Sequence, residues 1–242
     1  MKRYTVIGAL LLSSILFIGC GSSGDSENTG KEAPSKYLNY TTKTYLQFPF
    51  RGETIVAEGG RTLEENAHAD MVDQRFALDI VASKDNVTPE EIKNESVKTY
   101  NGDPSKNENY YIFGREVVAT ATGTVVSTEN NIADNVPGVE NRQNIPGNHV
   151  VIDHGNGEFS MFAHFKQGSV RVHVGDKVKY GDVLGLCGNS GNSSEPHLHY
   201  HLQNTQEWLD GEGLPAQFNR YIANGAFVER GEPVSGEIIT VE

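Results

Sequence analysis

Three histidines alternate with apolar residues in the stretch SSEPHLHYHLQ, Ser193–Gln203: His197, His199 and His201 interleave with Leu198, Tyr200 and Leu202. In an extended strand a period of two puts the imidazoles on one face and the apolar side chains on the other. The apolar face belongs against a core, so the imidazole face is expected to line a surface or a cleft. Neutral imidazole is the commonest side-chain metal ligand and titrates near neutral pH, so such a face suits the binding of a metal such as zinc and the movement of protons. One histidine on a strand is most often structural. Three on one face read as half of a metal site.

The other half is sought upstream. In NAHADMVDQRFALDIVAS, Asn66–Ser83, Asp79 interrupts the run Phe76, Ala77, Leu78, Ile80, Val81, which otherwise reads as a buried strand. A carboxylate there must be paired, hydrogen-bonded or bound to a cation, because an isolated buried charge is too costly. Pairing with Arg75 or capping of a turn would satisfy it; so would a metal, with His68 brought alongside by a hairpin-like return. His164 in FSMFAHF is polar within an aromatic strand, and it either finds a buried partner or faces a cleft. His149 and His154 flank VVID, and His173 alternates with Val172 and Val174 as a surface position.

The elements that must hold these residues are strands. Twenty-six glycines, scattered turn pairs and short Val/Ile/Tyr-rich runs in a chain of 242 residues favour mostly antiparallel β-structure. Asn156-Gly157 marks a hairpin, and Gly123 a turn between the runs Val117–Ala121 and Thr124–Ser127. TPEEIKNESVK offers a short helix or a solvated excursion. The net charge of −12 repels phosphate backbones, so nucleic acid is excluded as a partner class.

The first residues read as an address. Lys2 and Arg3 precede the apolar run Val6–Ile18, the form of a signal peptide over 1–19, and LFIGC resembles a bacterial lipobox with Phe17 an unusual residue in it. In that reading Cys20 becomes a lipidated N-terminus, residues 20–36 form a flexible Gly/Ser/charged tether, and the remainder, 37–242, is a membrane-anchored domain outside the cytoplasm. Loss of the leader leaves 18 basic against 32 acidic side chains. Only Cys187 then remains, at the end of an apolar strand, and it reads as a buried residue rather than a catalytic thiol.

Together these residues resemble the lysostaphin-type (LytM-like) zinc metallopeptidases with a duplicated hybrid motif. The resemblance covers roughly residues 48–203, with 204–242 as a C-terminal extension. NAHADMVDQRFALDIV is similar to a long-gap form of the family's first metal motif, MFAHF to its YAHL, and VGDKVKYGDVLGLCGNSGNSSEPHLHYH to its glycine-rich hairpin and H-x-H strand. The resemblance implies a mostly β, antiparallel sandwich or barrel-sandwich-hybrid core with short insertions. It implies one zinc ion on His68, Asp79 and His199, with His164 and His197 as catalytic histidines. It further implies hydrolysis of peptide bonds in peptidoglycan stems or cross-bridges, in the cell envelope. Two departures stand out: ten residues separate His68 from Asp79 instead of three, with Arg75 at the usual ligand position and Asn66 as the alternative ligand; and His201 stands where the family often has Glu, as a hydrogen-bonding support or a surface residue.

Three other readings compete. A catalytically silent relative would bind cell wall or regulate another hydrolase. A biotinyl/lipoyl-type carrier is suggested by VGDKVKYGDVLG but explains none of the histidines. A serine peptidase is suggested by CGNSGN, yet G-x-S-x-G is absent and His164 and Ser190 lie close together along the chain.

Overall fold

A computed structural model describes residues 34–242, apart from 85–86, 89–90 and 93–96. The expected leader, Cys20 and the tether through residue 33 lie outside the described residues, as does much of TPEEIKNESVK. The described strands are β1 (Gly52–Glu58), β2 (Leu78–Val81), β3 (Glu116–Val118), β4 (Gly123–Glu129), β5 (Asn148–Asp153), β6 (Phe159–Phe165), β7 (Lys177–Val178), β8 (Val183–Leu186), β9 (Leu198–Gln203), β10 (Gly213–Leu214), β11 (Phe218–Ala223), β12 (Ala226–Gly231) and β13 (Ile238–Val241). One large sheet runs β12-β11-β13-β1-β2-β9-β6-β5-β4-β7, with β10 added to β9; β3 and β8 pair as a second, small sheet. The path is open at β12 and β7, so the mostly β, antiparallel expectation holds without a closed barrel.

The histidine strand β9 sits in the middle of this sheet, between β2 and β6. Its apolar residues do what the alternation predicts. Leu198, Tyr200 and Leu202 are fully buried, and Tyr200 packs between Phe162, edge-on, and Phe218, tilted, with ring centroids 5.1 and 5.3 Å away. Phe48 continues the stack from Phe218. Burying such a side chain stabilises the fold by about 1.5–3 kcal/mol each, so this aromatic column is a rigid floor beneath the histidine face. The small β3–β8 sheet closes the core from another side through Val117 and Leu184.

One expectation is corrected: the turn between the two runs lies at 120–122, and Gly123 itself opens β4, which pairs with β5 and β7, while Val117 lies in β3 against β8. The C-terminal extension builds one end of the large sheet through β11, β12 and β13, and β13 pairs with β1 and thereby supports β2 beside the site. The Asn156-Gly157 hairpin is present, joining β5 to β6.

Candidate metal centre

The β2–β9 register sets Asp79 directly opposite His199. On an antiparallel pair, residues in register share a face, so the carboxylate that interrupts one apolar strand meets the imidazole that interrupts the other. Asp79 Oδ1 lies 2.9 Å from His199 Nδ1 and 3.7 Å from His197 Nε2, and Asp79 Oδ2 lies 3.8 Å from His68 Nε2. Donor atoms of His68, Asp79 and His199 all fall within 4.8 Å of one another, a group able to hold a metal ion. Arg75 is not Asp79's partner; its guanidinium binds the Pro34 carbonyl instead.

His68 reaches the cluster because the ten-residue excursion is stapled at both ends by Asn66. The buried Asn66 Nδ2 donates to Gly60 O and to Ala77 O, each at 3.0 Å. That leaves Asn66 Oδ1 as an acceptor, which takes the His68 backbone N–H and faces His68 Nδ1, each at 3.0 Å. His68 Nδ1 therefore carries the proton, and its Nε2 lone pair points at Asp79. Asn66, the alternative ligand, is thus spent as a clamp. Glu58 pins the same loop by accepting the Ala67 N–H at 2.8 Å.

Strict alternation would put His164 on the Phe162 face, away from the histidines. A bulge in β6 against β5, between Asn148 and Val150, breaks that alternation, and His164 adopts the left-handed conformation with φ +65°. A non-glycine residue there is strained and persists only where its surroundings impose it. The ring sits 4.7 Å from that of His197, and its Nδ1 donates to Ser190 O at 2.8 Å, leaving Nε2 free to act. Gly147 makes this possible, because a Cβ there would lie 2.4 Å from the same Ser190 carbonyl oxygen. His197 is anchored alike, its Nδ1 2.8 Å from Glu195 O. Ser190 offers its carbonyl, not its hydroxyl, to His164; the hydroxyl donates to Phe165 O.

The face is less open than alternation alone predicts. His199 is 4% exposed and His201 is fully buried, because β9 is central and Trp208 covers it, 5.2 Å from the His201 ring and 5.6 Å from that of His149. His201 is therefore an interior residue rather than an exposed one, with Nδ1 3.0 Å from His199 Nε2. Trp208 and Gln203 belong to no recognisable motif, although Gln203 continues the period of two by one step. Burial pushes His68 down to about 4, with Asp79 acting against it, and holds His164 and His201 well below the ordinary imidazole range. These three imidazoles are neutral at pH 7, the form that ligates metals and accepts protons. Burial acts against the Asp79 charge, but the imidazoles of His68, His197 and His199 outweigh it and hold the carboxyl well below its usual range. His173 is exposed, and Cys187 is buried, its thiol pushed up by burial.

Residues 110–211 match the model of Peptidase family M23. Over that segment the chain is similar to the peptidases of this family. That match includes His164, His197 and His199 but begins after His68 and Asp79, which the fold brings to the M23 segment from outside it. The peptidoglycan DD-endopeptidase ShyA of Vibrio cholerae is 36% identical over 90 residues, 37% of this chain and 18% of that protein. The murein hydrolase activator EnvC of Escherichia coli is 32% identical over 102 residues, 40% of this chain and 21% of that protein. The chain thus spans about a fifth of the length of these curated relatives. Among solved structures, the catalytic domain of lysostaphin from Staphylococcus simulans is similar at 22% identity and a TM-score of 0.30, over 55% of this chain and 85% of that one.

Proposed function

We propose that this protein is a zinc-dependent endopeptidase that hydrolyses peptide bonds of bacterial peptidoglycan stems or cross-bridges. The observation that carries the reading is the convergence of His68, Asp79 and His199 donor atoms within 4.8 Å beside two further imidazoles, His164 and His197, each anchored through Nδ1 to a backbone carbonyl, in and beside a segment that matches Peptidase family M23. His68 Nε2, Asp79 and His199 Nδ1 would hold the ion, and three protein donors leave a fourth position open, the mark of a catalytic rather than a closed structural zinc site. Zinc supplies Lewis acidity, polarising a carbonyl and lowering the pKa of water from 15.7 to about 7.

The chain's own residues do the rest. His197 keeps its Nδ1 proton on Glu195 O, so its Nε2 is a base aimed at the same space as Asp79. His164, held by Ser190 O, presents Nε2 beside it. One takes the proton of the attacking water, and that protonated ring then donates to the developing oxyanion and passes the proton to the leaving amine nitrogen. The leader and Cys20 support a further part of the reading, an anchored lipoprotein of the cell envelope held close to this substrate.

The likeness to the activator EnvC favours a second reading, a domain that switches on another hydrolase. A complete donor set is superfluous for that role. Digestion of purified peptidoglycans with and without chelator, read by mass spectrometry of the new peptide termini, separates the two. Chelator-sensitive new termini support the enzyme; their absence with zinc-loaded protein overturns it.

A further inference from the structure

A single line of hydrogen bonds leaves the metal centre through the interior of β9. His199 Nε2 lies 3.0 Å from His201 Nδ1, and His201 Nε2 lies 3.2 Å from Gln203 Oε1. Gln203 Nε2 then reaches Thr205 O at 2.9 Å and Glu207 O at 2.7 Å. The direction of this line is fixed from its far end. Backbone carbonyls only accept, so the Gln203 amide nitrogen must face them and its Oε1 must face His201. Because Oε1 is an acceptor, His201 Nε2 carries a proton. His201 and Gln203 are both fully buried, where a second imidazole proton without a partner is too costly. His201 Nδ1 is therefore a lone pair, which accepts the proton of His199 Nε2.

The consequence falls on the other nitrogen of His199. With its own proton committed to His201, His199 Nδ1 presents a lone pair to Asp79 Oδ1 at 2.9 Å. Two acceptors at that separation need a cation, or a shared proton, between them. We propose that His201 and Gln203 are positioning residues which, through this one-way line, hold His199 in the tautomer whose Nδ1 lone pair faces the metal position. The inference rests on the metal-centre reading but makes a claim about proton placement that stands apart from it. Gln203 also anchors the turn that carries Trp208, the cover over His201, so the line and its shield from water are built by one side chain.

The test separates the line from the turn anchor. Gln203→Glu and Gln203→Met both remove the amide donor to Thr205 O and Glu207 O. Only Gln203→Glu still presents an acceptor to His201, in either protonation state. Ring-nitrogen NMR of the full chain, metal-free and zinc-loaded, reads which nitrogen of His199 and His201 is protonated, and chelator competition reads zinc affinity. We expect the proton on His199 Nε2 in the wild type and in Gln203→Glu. In Gln203→Met it should be lost from that position, with zinc held about 10–100-fold more weakly, the usual cost of removing a support behind a ligand. A wild-type proton on His201 Nδ1, or equal weakening in both variants, overturns the proposal. Failure of the wild type to take up zinc sinks the metal reading, while the ring spectrum of the metal-free protein still decides the line.

Discussion

Asp79→Asn is the sharpest perturbation of the centre, because it removes a charge and leaves the shape. In the metal-free protein the amide nitrogen can donate to the His199 Nδ1 lone pair across the same 2.9 Å, which relieves the meeting of two acceptors, so stability should fall by no more than about 1 kcal/mol. Zinc tells the difference. With free zinc at 100 times its dissociation constant, binding stabilises the wild type by about 2.7 kcal/mol. For a domain of this size that raises the Tm by about 5–11 °C, at roughly 2–4 °C per kcal/mol. If the variant binds 100-fold more weakly, the same zinc concentration gives about 0.4 kcal/mol, a shift of about 1–2 °C. Thermal scans of both proteins with and without zinc are the assay. An undiminished zinc shift in Asp79→Asn, or a metal-free variant destabilised by several kcal/mol, would refute the reasoning, since the first removes the carboxylate from the site and the second makes it a structural group.

The other expectations concern separate parts of the molecule. His164→Ala and His197→Ala should each lower peptidoglycan cleavage about 10²–10⁴-fold while keeping the zinc-induced Tm shift, because neither belongs to the proposed ligand set. Cys187→Ser places a hydroxyl in the core and should cost about 1–3 kcal/mol in urea unfolding with cleavage retained; loss of cleavage in folded protein would revive the thiol reading. Stability should fall on acidification in two stages. Burial lowers the His154 pKa below 6.5, and Glu158 lies below 4.5 because, against its burial, it accepts from Thr44, Lys43 and Tyr40. Both folded-state values lie below the unfolded ones, so their contribution is complete above about pH 6.5 and is lost as pH drops, first through His154 and then, below 4.5, through Glu158. Urea midpoints across this range should fall less steeply below pH 4.5 in Glu158→Gln, the remaining slope coming from Asp79 and His68.

Period-two reasoning carried far into the site. Asp79 was visible as a carboxylate interrupting an apolar strand and His199 as one of three alternating imidazoles, and the β2–β9 register sets the two opposite each other. What alternation could not show is where it breaks or what lies above it. His164 turns towards His197 only because of a bulge, and a bulge leaves no sign in the residue pattern MFAHF beyond the histidine itself. The burial of His201 follows from a central position for β9 and from Trp208, which the turn after β9 lays over the histidine face with no motif to announce it. The clamp by Asn66 depends on two carbonyls, Gly60 O and Ala77 O, whose meeting is a property of the loop's path. Backbone partners of this kind are set by tertiary closure, so they become legible only once the strands around them are ordered.

The central claim is that one divalent ion joins the front and back of the domain. Anomalous diffraction at the zinc absorption edge from crystals of the zinc-loaded protein tests it directly. The account predicts one strong peak, with the His68 and His199 nitrogens about 2.0–2.1 Å away and an Asp79 oxygen about 2.0–2.2 Å away. A peak bound by other residues, or stoichiometric zinc with Asp79 and His199 left in direct contact without it, would contradict the account.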